Sequence, residues 1–108
     1  MCGIAGIFAY REEAPPVDRE ELIRTREAMR VRGPDGAGLW LSEDGRVGLA
    51  HRRLSIIDLS QDGAQPMSAA EGRLHITFNG EIYNFRILRR ELERKGYRFR
   101  SRRSMRKL

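Results

Sequence analysis

An α+β fold with antiparallel strand pairing is predicted by three features of this 108-residue chain. First, Glu43-Asp44-Gly45-Arg46 separates two apolar runs, 38–42 and 47–51, and Asp-Gly between such runs is a strong hairpin signal. Second, a Glu71-Gly72 turn precedes another apolar strand at 74–78. Third, two helical segments interrupt the strands irregularly, and this favours α+β over a parallel α/β arrangement.

The N-terminal third is predicted to form a strand, a helix and a loop. Residues 4–10 are apolar and small, which is typical of a buried strand. A helix over 19–30 follows, because Asp18 offers an N-cap and Glu21 stands three positions further on, as in a capping box. One proline and two glycines then make 32–36 a turn or loop.

The C-terminal half is predicted to hold one more helix. After an apolar stretch at 54–59 and a loop at 61–65, apolar residues recur at helical spacing between Asn84, a candidate N-cap, and Lys95. Gly96 provides the stop signal of this helix. Residues 97–100 are predicted to begin another strand.

The net charge of +6 is concentrated at one end of the chain. Residues 1–97 hold 15 basic and 15 acidic residues, whereas 98–108 hold six basic residues and no acidic one. A strongly basic balance usually indicates a polyanion partner. Here it marks a break in composition, and the chain contains no nucleic-acid-binding motif, so we expect no nucleic-acid partner. A non-catalytic module with a basic, polyanion-binding tail stays open as an alternative function.

Several classes of protein are excluded by composition. No apolar run approaches the ~18 residues of a membrane span. The apolar start at 1–8 is too short for a signal peptide and lacks a basic n-region. A single cysteine excludes an internal disulfide, and one cysteine with two histidines cannot build an ordinary zinc site. The chain is therefore predicted to be cytoplasmic, metal-free and without a membrane partner.

Cys2 is the first candidate catalytic residue. If Met1 is removed, Cys2 carries a free α-amino group. Such a group has an ordinary pKa of ~7.7–8.0, so it is partly neutral at cytosolic pH. One residue then supplies both a thiol nucleophile and its own base. The simpler interpretation of Cys2 by position alone is a small buried residue.

Asn79-Gly80 is the second candidate. An asparagine amide and a glycine N–H can converge on one developing negative oxygen, which makes an oxyanion hole. The same dipeptide between two apolar runs is also a favoured two-residue hairpin turn. Taken alone, the hairpin interpretation is the stronger one.

Charged residues near these candidates offer ligand contacts. Arg52-Arg53 could bind a carboxylate through an arginine fork, or could form a solvated surface pair. Glu81 could hold an ammonium group, or could simply be exposed. His51 is interpreted as structural, and Arg32 and Asp35 as turn residues.

Five short blocks of the sequence stand out together. They are Met1-Cys2-Gly3-Ile4-Ala5-Gly6-Ile7-Phe8, Arg32-Gly33-Pro34-Asp35-Gly36-Ala37-Gly38, Ala50-His51-Arg52-Arg53-Leu54-Ser55-Ile56-Ile57-Asp58-Leu59, Gly63-Ala64-Gln65-Pro66-Met67 and Phe78-Asn79-Gly80-Glu81-Ile82-Tyr83-Asn84. In this order they resemble the class II glutamine amidotransferases, and most closely the glutaminase domain of glutamine-hydrolysing asparagine synthetases. The resemblance covers about residues 1–104.

The resemblance implies an N-terminal-nucleophile hydrolase fold, an αββα sandwich of two antiparallel sheets, of which this chain holds the N-terminal part. It implies that Cys2 attacks the side-chain amide of glutamine, that a thioester forms and that ammonia leaves. Asn79 and Gly80 would form the oxyanion hole. The glutamine-binding residues it implies are Arg53 for the α-carboxylate, Glu81 for the α-ammonium and the backbone of Leu54, Ser55, Ile56 and Ile57.

The resemblance also implies a partner that this chain lacks. Ammonia would pass to a synthetase domain that uses ATP and magnesium to amidate aspartate, so the chain itself is expected to need no cofactor. Completion of the site by a synthetase subunit on another chain is a further possibility.

The last residues depart from the family pattern. A Ser-Asp-x-Glu block is expected after 97–100, but the chain reads Ser104-Met105-Arg106-Lys107-Leu108. A one-base deletion at codon 105 would produce this ending. We therefore expect residues 2–104 to be a partial amidotransferase domain and 105–108 to be a frame-shifted tail. We expect the isolated chain to fold poorly, because its sheets would be left with open edges, and to be nearly inactive.

Overall fold

A computed structural model of the chain describes residues 2–54 and 64–99. It confirms an α+β fold with antiparallel pairing, built from a three-stranded sheet, a two-stranded hairpin and two helices. The elements in order are β1 (Gly3–Phe8), α1 (Arg19–Ala28), β2 (Gly36–Leu41), β3 (Val47–Arg53), β4 (Met67–Ala69), β5 (Leu74–Ile76) and α2 (Phe85–Arg94).

The larger sheet has β3 in its centre, with β1 and β2 paired antiparallel on either side. The predicted β2–β3 hairpin is confirmed. Its turn is closed by a 2.9 Å bond from the Ser42 N–H to the Val47 carbonyl, and Gly45 takes the left-handed φ of +70°. The Ser42 hydroxyl and the Arg46 N–H donate to Asp44 and hold the pKa of that carboxyl below its ordinary value.

Helix α1 covers one face of this sheet. Leu22 is fully buried, and a Cβ placed at Gly48 of β3 would lie only 2.7 Å from its side chain. The predicted Asp18 cap is confirmed, although Asp18 accepts from the N–H of Glu20 at 2.9 Å and the structure shows no capping bond to Glu21. Close approach of α1 therefore depends on a residue without a side chain in the central strand.

The β4–β5 hairpin lies over the opposite face. Trp40 of β2 stacks on His75 of β5 with ring centroids 3.8 Å apart. Trp40 pairs with Leu49 of β3, and Gly48, the residue before Leu49, faces α1. Because neighbouring residues of a strand point to opposite faces, Trp40 and the hairpin lie on the face away from α1. The predicted turn before β5 is confirmed, and it places Gly72 at a φ of +81°. The three-residue strand β4 was not predicted.

Three strand predictions need correction. Strand β1 is not buried throughout, because Ile4 is 47% and Phe8 is 66% exposed on the face away from α1. The strand predicted at 74–78 ends at Ile76. The strand predicted from 97 is wrong for the described residues 97–99, which form no strand.

The second helix begins and ends close to its predicted limits. Asn84 occupies the N-cap position, but its side chain makes no capping hydrogen bond, so that part of the prediction is wrong. The stop at Gly96 is confirmed by a φ of +94° and by bonds from the Gly96 and Tyr97 N–H groups to the carbonyls of Glu93 and Leu92. No residue of α2 is buried, although Phe85, Leu88 and Leu92 are spaced to share one face.

Some predictions fall outside the described residues. These include most of the 54–59 and 61–65 segments and the whole of the 105–108 tail. Within the part of the chain that is described, no helix has the length and apolarity needed to cross a membrane.

Candidate functional site

Cys2 lies at the start of β1, beside the end of β3. It is buried, with 4% of its surface exposed. The Leu54 N–H donates to the Cys2 Sγ at 3.4 Å, and the Leu54 carbonyl oxygen lies 3.9 Å from the same sulfur. Pairing of Gly3 with Arg52 brings residues 2 and 54 together. Leu54, directly after β3, thus places a backbone hydrogen-bond donor on the thiol, where it can stabilise negative charge on sulfur.

Asn79 reaches the same place from a distant part of the chain. Its side-chain Nδ2 donates to the Cys2 carbonyl oxygen at 3.0 Å. The amide nitrogen carries a second N–H, which this bond leaves available for a ligand. The alternative interpretation of Asn79-Gly80 as a hairpin turn is wrong, because β5 ends at Ile76 and the next element is α2.

In the described part of the chain, the segment that carries Asn79 forms no strand and is held by hydrogen bonds of side chains. The Thr77 hydroxyl donates to the Ala50 carbonyl of β3 at 3.3 Å. The Phe78 N–H donates to the Gln65 Oε1 at 2.6 Å. Gly80 is half-buried, and a Cβ there would lie 2.7 Å from the Phe78 ring. Sequence reasoning missed Gln65, although this residue stands inside one of the five blocks.

Arg53 ends β3 next to this site. It is half-buried and pairs with Gly36 of β2, on the sheet face away from α1. Its carbonyl accepts a hydrogen bond from the Asp35 N–H at 2.9 Å. A residue of the loop predicted at 32–36 is thus bonded to the C-terminal end of β3. The structure therefore places Arg53 beside Leu54, which contacts the thiol.

Arg52 has a different environment from its neighbour. It is only 7% exposed, its Nε donates to the Gly33 carbonyl at 2.8 Å and its guanidinium lies 3.4 Å from Glu27 of α1. The interpretation of Arg52-Arg53 as a solvated surface pair is therefore wrong for Arg52. His51, at 1% exposure in the middle of the sheet, fits the structural role expected of it.

The remaining predicted ligand-binding residues are not brought to Cys2 by the described structure. Glu81 is exposed, two positions after Asn79. Ser55, Ile56 and Ile57 lie outside the described residues. Across the ranges 2–54 and 64–99, no group of three or more metal-ligating side chains forms.

Comparison with known proteins identifies the family. The family model described as "Glutamine amidotransferase domain" matches residues 1–105. The chain is 49% identical over 100 residues to asparagine synthetase [glutamine-hydrolyzing] 1 of Bacillus subtilis (strain 168), covering 92% of this chain and 15% of the relative. It is 40% identical over 91 residues to asparagine synthetase B of Escherichia coli (strain K12), covering 84% of this chain and 16% of the relative.

A relative with a different name also matches. The amidase chry2 of Gibberella zeae is 37% identical over 100 residues, which cover 85% of this chain and 15% of the relative. The chain thus spans about 15% of the length of the relatives it matches. On the extent of the family match and the identity to these relatives, the chain belongs to the glutamine amidotransferase domain family.

Proposed function

We propose that this chain carries a glutaminase site in which Cys2 is the nucleophile, Asn79 and Gly80 form the oxyanion hole, and ammonia is the product. The observation that supports it most directly is the meeting of a thiol and a side-chain amide. The Cys2 sulfur contacts the Leu54 N–H at 3.4 Å, and the Asn79 amide binds the Cys2 carbonyl at 3.0 Å. A nucleophile and a preorganised donor within one site are what amide cleavage requires.

The first half of the reaction forms a thioester. Once Met1 has been removed, the free α-amine of Cys2 takes the thiol proton, and the thiolate attacks the side-chain carbonyl carbon of glutamine. A C–S bond forms, and the carbonyl electron pair moves onto oxygen, where the Asn79 Nδ2–H and the Gly80 N–H donate to it. The C–N bond then breaks, and ammonia leaves with the proton carried by the amine.

The second half of the reaction regenerates the thiol. A water molecule gives a proton to the amine and attacks the thioester carbon, and a second oxyanion forms in the same place. The C–S bond breaks, glutamate leaves and the thiolate recovers its proton. The donors at Asn79 and Gly80 therefore act twice in each cycle.

We assign substrate binding to two charged residues, Arg53 and Glu81. Arg53 would bind the α-carboxylate of glutamine, because a guanidinium fork matches a carboxylate in geometry and charge. Glu81, which is exposed, would bind the α-ammonium, and the backbone from Leu54 to Ile57 would line the site. The finer fold assignment follows from the same family: the three-stranded sheet and the β4–β5 hairpin would belong to the two sheets of an αββα sandwich.

The fate of ammonia is proposed from the relatives. Two of them are named as glutamine-hydrolysing asparagine synthetases, so ammonia would be delivered to a synthetase domain that amidates aspartate. ATP and magnesium would serve that domain. The described residues of this chain offer no cluster of metal ligands, and no step at Cys2 is assigned to a metal.

The test uses covalent capture of the thiol. A glutamine analogue with a chloromethyl ketone in place of the side-chain amide presents a carbonyl to the thiolate, and then forms a C–S bond with loss of chloride. We expect a single adduct at Cys2 by mass spectrometry, suppressed by L-glutamine but not by L-asparagine. The same spectra of the unreacted protein show whether Met1 is absent.

Two controls make the result specific. Cys2→Ser should give no adduct, and labelling of wild-type Cys2 by iodoacetamide should also be slowed by L-glutamine and not by L-asparagine at equal concentration, because bound glutamine covers the thiol. Labelling by the chloromethyl ketone that L-glutamine fails to suppress would contradict the proposed function.

A further inference from the structure

We propose that Gln65 is a positioning residue that holds the Asn79-Gly80 segment in register with Cys2. This inference rests on the proposed function, because it concerns how the oxyanion hole of that site is built. Gln65 is buried, with 7% of its surface exposed, and stands directly before Pro66 at the edge of the second hairpin.

The backbone of Gln65 is fixed against the larger sheet. Its carbonyl oxygen lies so close to Gly38 of β2 that a Cβ at residue 38 would overlap it. Pro66 is also in contact range of that position, 3.1 Å from the same Cβ. Only glycine allows this approach, so β2 sets where the Gln65 side chain begins.

The side chain of Gln65 then bridges to the next segment. Its Oε1 accepts the Phe78 N–H at 2.6 Å, one residue before Asn79. In the ranges 2–54 and 64–99 no strand pairs with residues 77–79, so this bond satisfies a backbone N–H that strand pairing would otherwise satisfy. It is one of three bonds on consecutive residues, with Thr77 bound to Ala50 and Asn79 bound to Cys2.

Among these three bonds, that of Gln65 acts on the backbone. Thr77 and Asn79 are bound through their own side chains, which can rotate, whereas the Phe78 N–H belongs to the main chain that leads into Asn79 and Gly80. Loss of its acceptor would leave a part-buried N–H unsatisfied and would release the peptide that orients both donors. Oxyanion-hole donors act in the transition state, so their displacement slows the covalent step more than it weakens binding.

The test compares two substitutions of Gln65, one that changes the functional group of the side chain and one that changes its length. Gln65→Glu keeps the length and an acceptor oxygen, whereas Gln65→Asn keeps the amide but is one methylene too short to reach Phe78. Inactivation by the chloromethyl ketone analogue gives a limiting rate constant and a half-saturating concentration for each. We expect Gln65→Asn to lower the limiting rate constant about 10- to 100-fold, with the half-saturating concentration within about threefold of wild type.

The control variants decide between positioning and general destabilisation. Gln65→Glu should retain at least about a third of the wild-type rate constant. Ser42→Ala weakens the distant β2–β3 turn by removing three hydrogen bonds of its hydroxyl, and should leave the rate constant unchanged. A wild-type rate constant in Gln65→Asn, or equal losses in Gln65→Asn and Gln65→Glu, would overturn the inference.

Hydrogen exchange of the wild-type chain tests the contact when a variant fails to fold. We expect the Phe78 amide, which donates to the buried Gln65 side chain, to exchange more slowly than the Asn84 amide, for which the described residues show no such acceptor. A Phe78 amide that exchanges as fast as that of Asn84 would also overturn the inference. Failure of L-glutamine to protect Cys2 would instead contradict the proposed function and leave the exchange result to decide the role of Gln65.

Discussion

The Asn79 side-chain amide donates a 3.0 Å hydrogen bond to the carbonyl oxygen of Cys2, across 77 positions of the chain. The bond joins the N-terminal end of β1 to the segment between β5 and α2. It leaves one N–H of Asn79 for a ligand, while the Leu54 N–H contacts the neighbouring sulfur. The proposed nucleophile and the proposed oxyanion-hole donor therefore lie together before any substrate binds.

Replacing Asn79 by aspartate should impair the covalent step. The isosteric carboxylate has no N–H to give, and its charge opposes that of the developing oxyanion. We expect the limiting rate constant for inactivation by the chloromethyl ketone analogue to fall about 10²- to 10³-fold, as for other oxyanion-hole donors.

Asn84→Asp is the matched control for this change. The Asn84 side chain makes no capping bond, and an acidic residue at the start of α2 is favourable to the helix. Its rate constant should equal that of wild type. A similar loss in both variants would mean that Asn79 has no specific part in the reaction.

Replacing Arg53 by methionine should weaken binding of glutamine through its α-carboxylate. A hydrogen bond to a charged group contributes about 1.5–3 kcal/mol, so the L-glutamine concentration that half-protects Cys2 should rise roughly 10- to 150-fold. Protection by 4-aminobutanamide, which lacks the α-carboxylate, should change little in Arg53→Met. Equal weakening for both ligands would show that Arg53 acts through packing and not through the carboxylate.

Local signals explain which parts of the fold could be predicted from the sequence. Gly45 and Gly96 each take a left-handed φ that favours glycine. Asp44-Gly45 therefore correctly predicted the β2–β3 turn, and Gly96 correctly predicted the end of α2. Residues 97–99 alternate aromatic and basic side chains as a strand does, but the described structure offers them no strand to pair with. Alternation indicates a strand only where a partner exists.

The candidate site depended on long-range information. Neither Cys2 nor Asn79 is specified as functional by its neighbours, and only the order of five blocks suggested that they act together. Gln65 was missed for the same reason. Its role depends on a backbone N–H 13 positions away, and that contact leaves no periodic signal in the sequence.

Arg52 should contribute more to the free energy of unfolding than Glu27, its ion-pair partner. The Arg52 guanidinium is buried and donates to the Gly33 carbonyl, whereas the Glu27 side chain is 41% exposed. We expect Arg52→Met to lower the free energy of unfolding by about 1–3 kcal/mol, because it leaves a buried carbonyl without its donor. Glu27→Gln should cost no more than about 1 kcal/mol. Urea unfolding of both variants checks this difference, and equal losses would refute the assignment of the Gly33 bond as the main contribution.

Gly33 and Gly36 should respond differently to a single added methyl group, although only two residues separate them and both lie near Arg53. A Cβ at Gly33 would lie 2.6 Å from the Arg52 carbonyl oxygen and 2.7 Å from the Arg53 nitrogen, both rigid backbone atoms. A Cβ at Gly36 would meet Arg53 at an ordinary 3.6 Å. We therefore expect Gly33→Ala to cost about 1–3 kcal/mol and Gly36→Ala to be nearly neutral for packing.

The same pair of variants tests whether the loop positions the ligand-binding strand end. We expect the Gly33→Ala overlap to be relieved by movement of the Arg52–Arg53 peptide, and with it of the Arg53 side chain and the Leu54 N–H on the thiol. The L-glutamine concentration that half-protects Cys2 should then rise in Gly33→Ala and stay at the wild-type value in Gly36→Ala. Thermal unfolding measures the stability loss in parallel, at roughly 4–8 °C per kcal/mol for a chain of this size. Unchanged protection in a destabilised Gly33→Ala protein would show that the loop supports the fold without positioning the site.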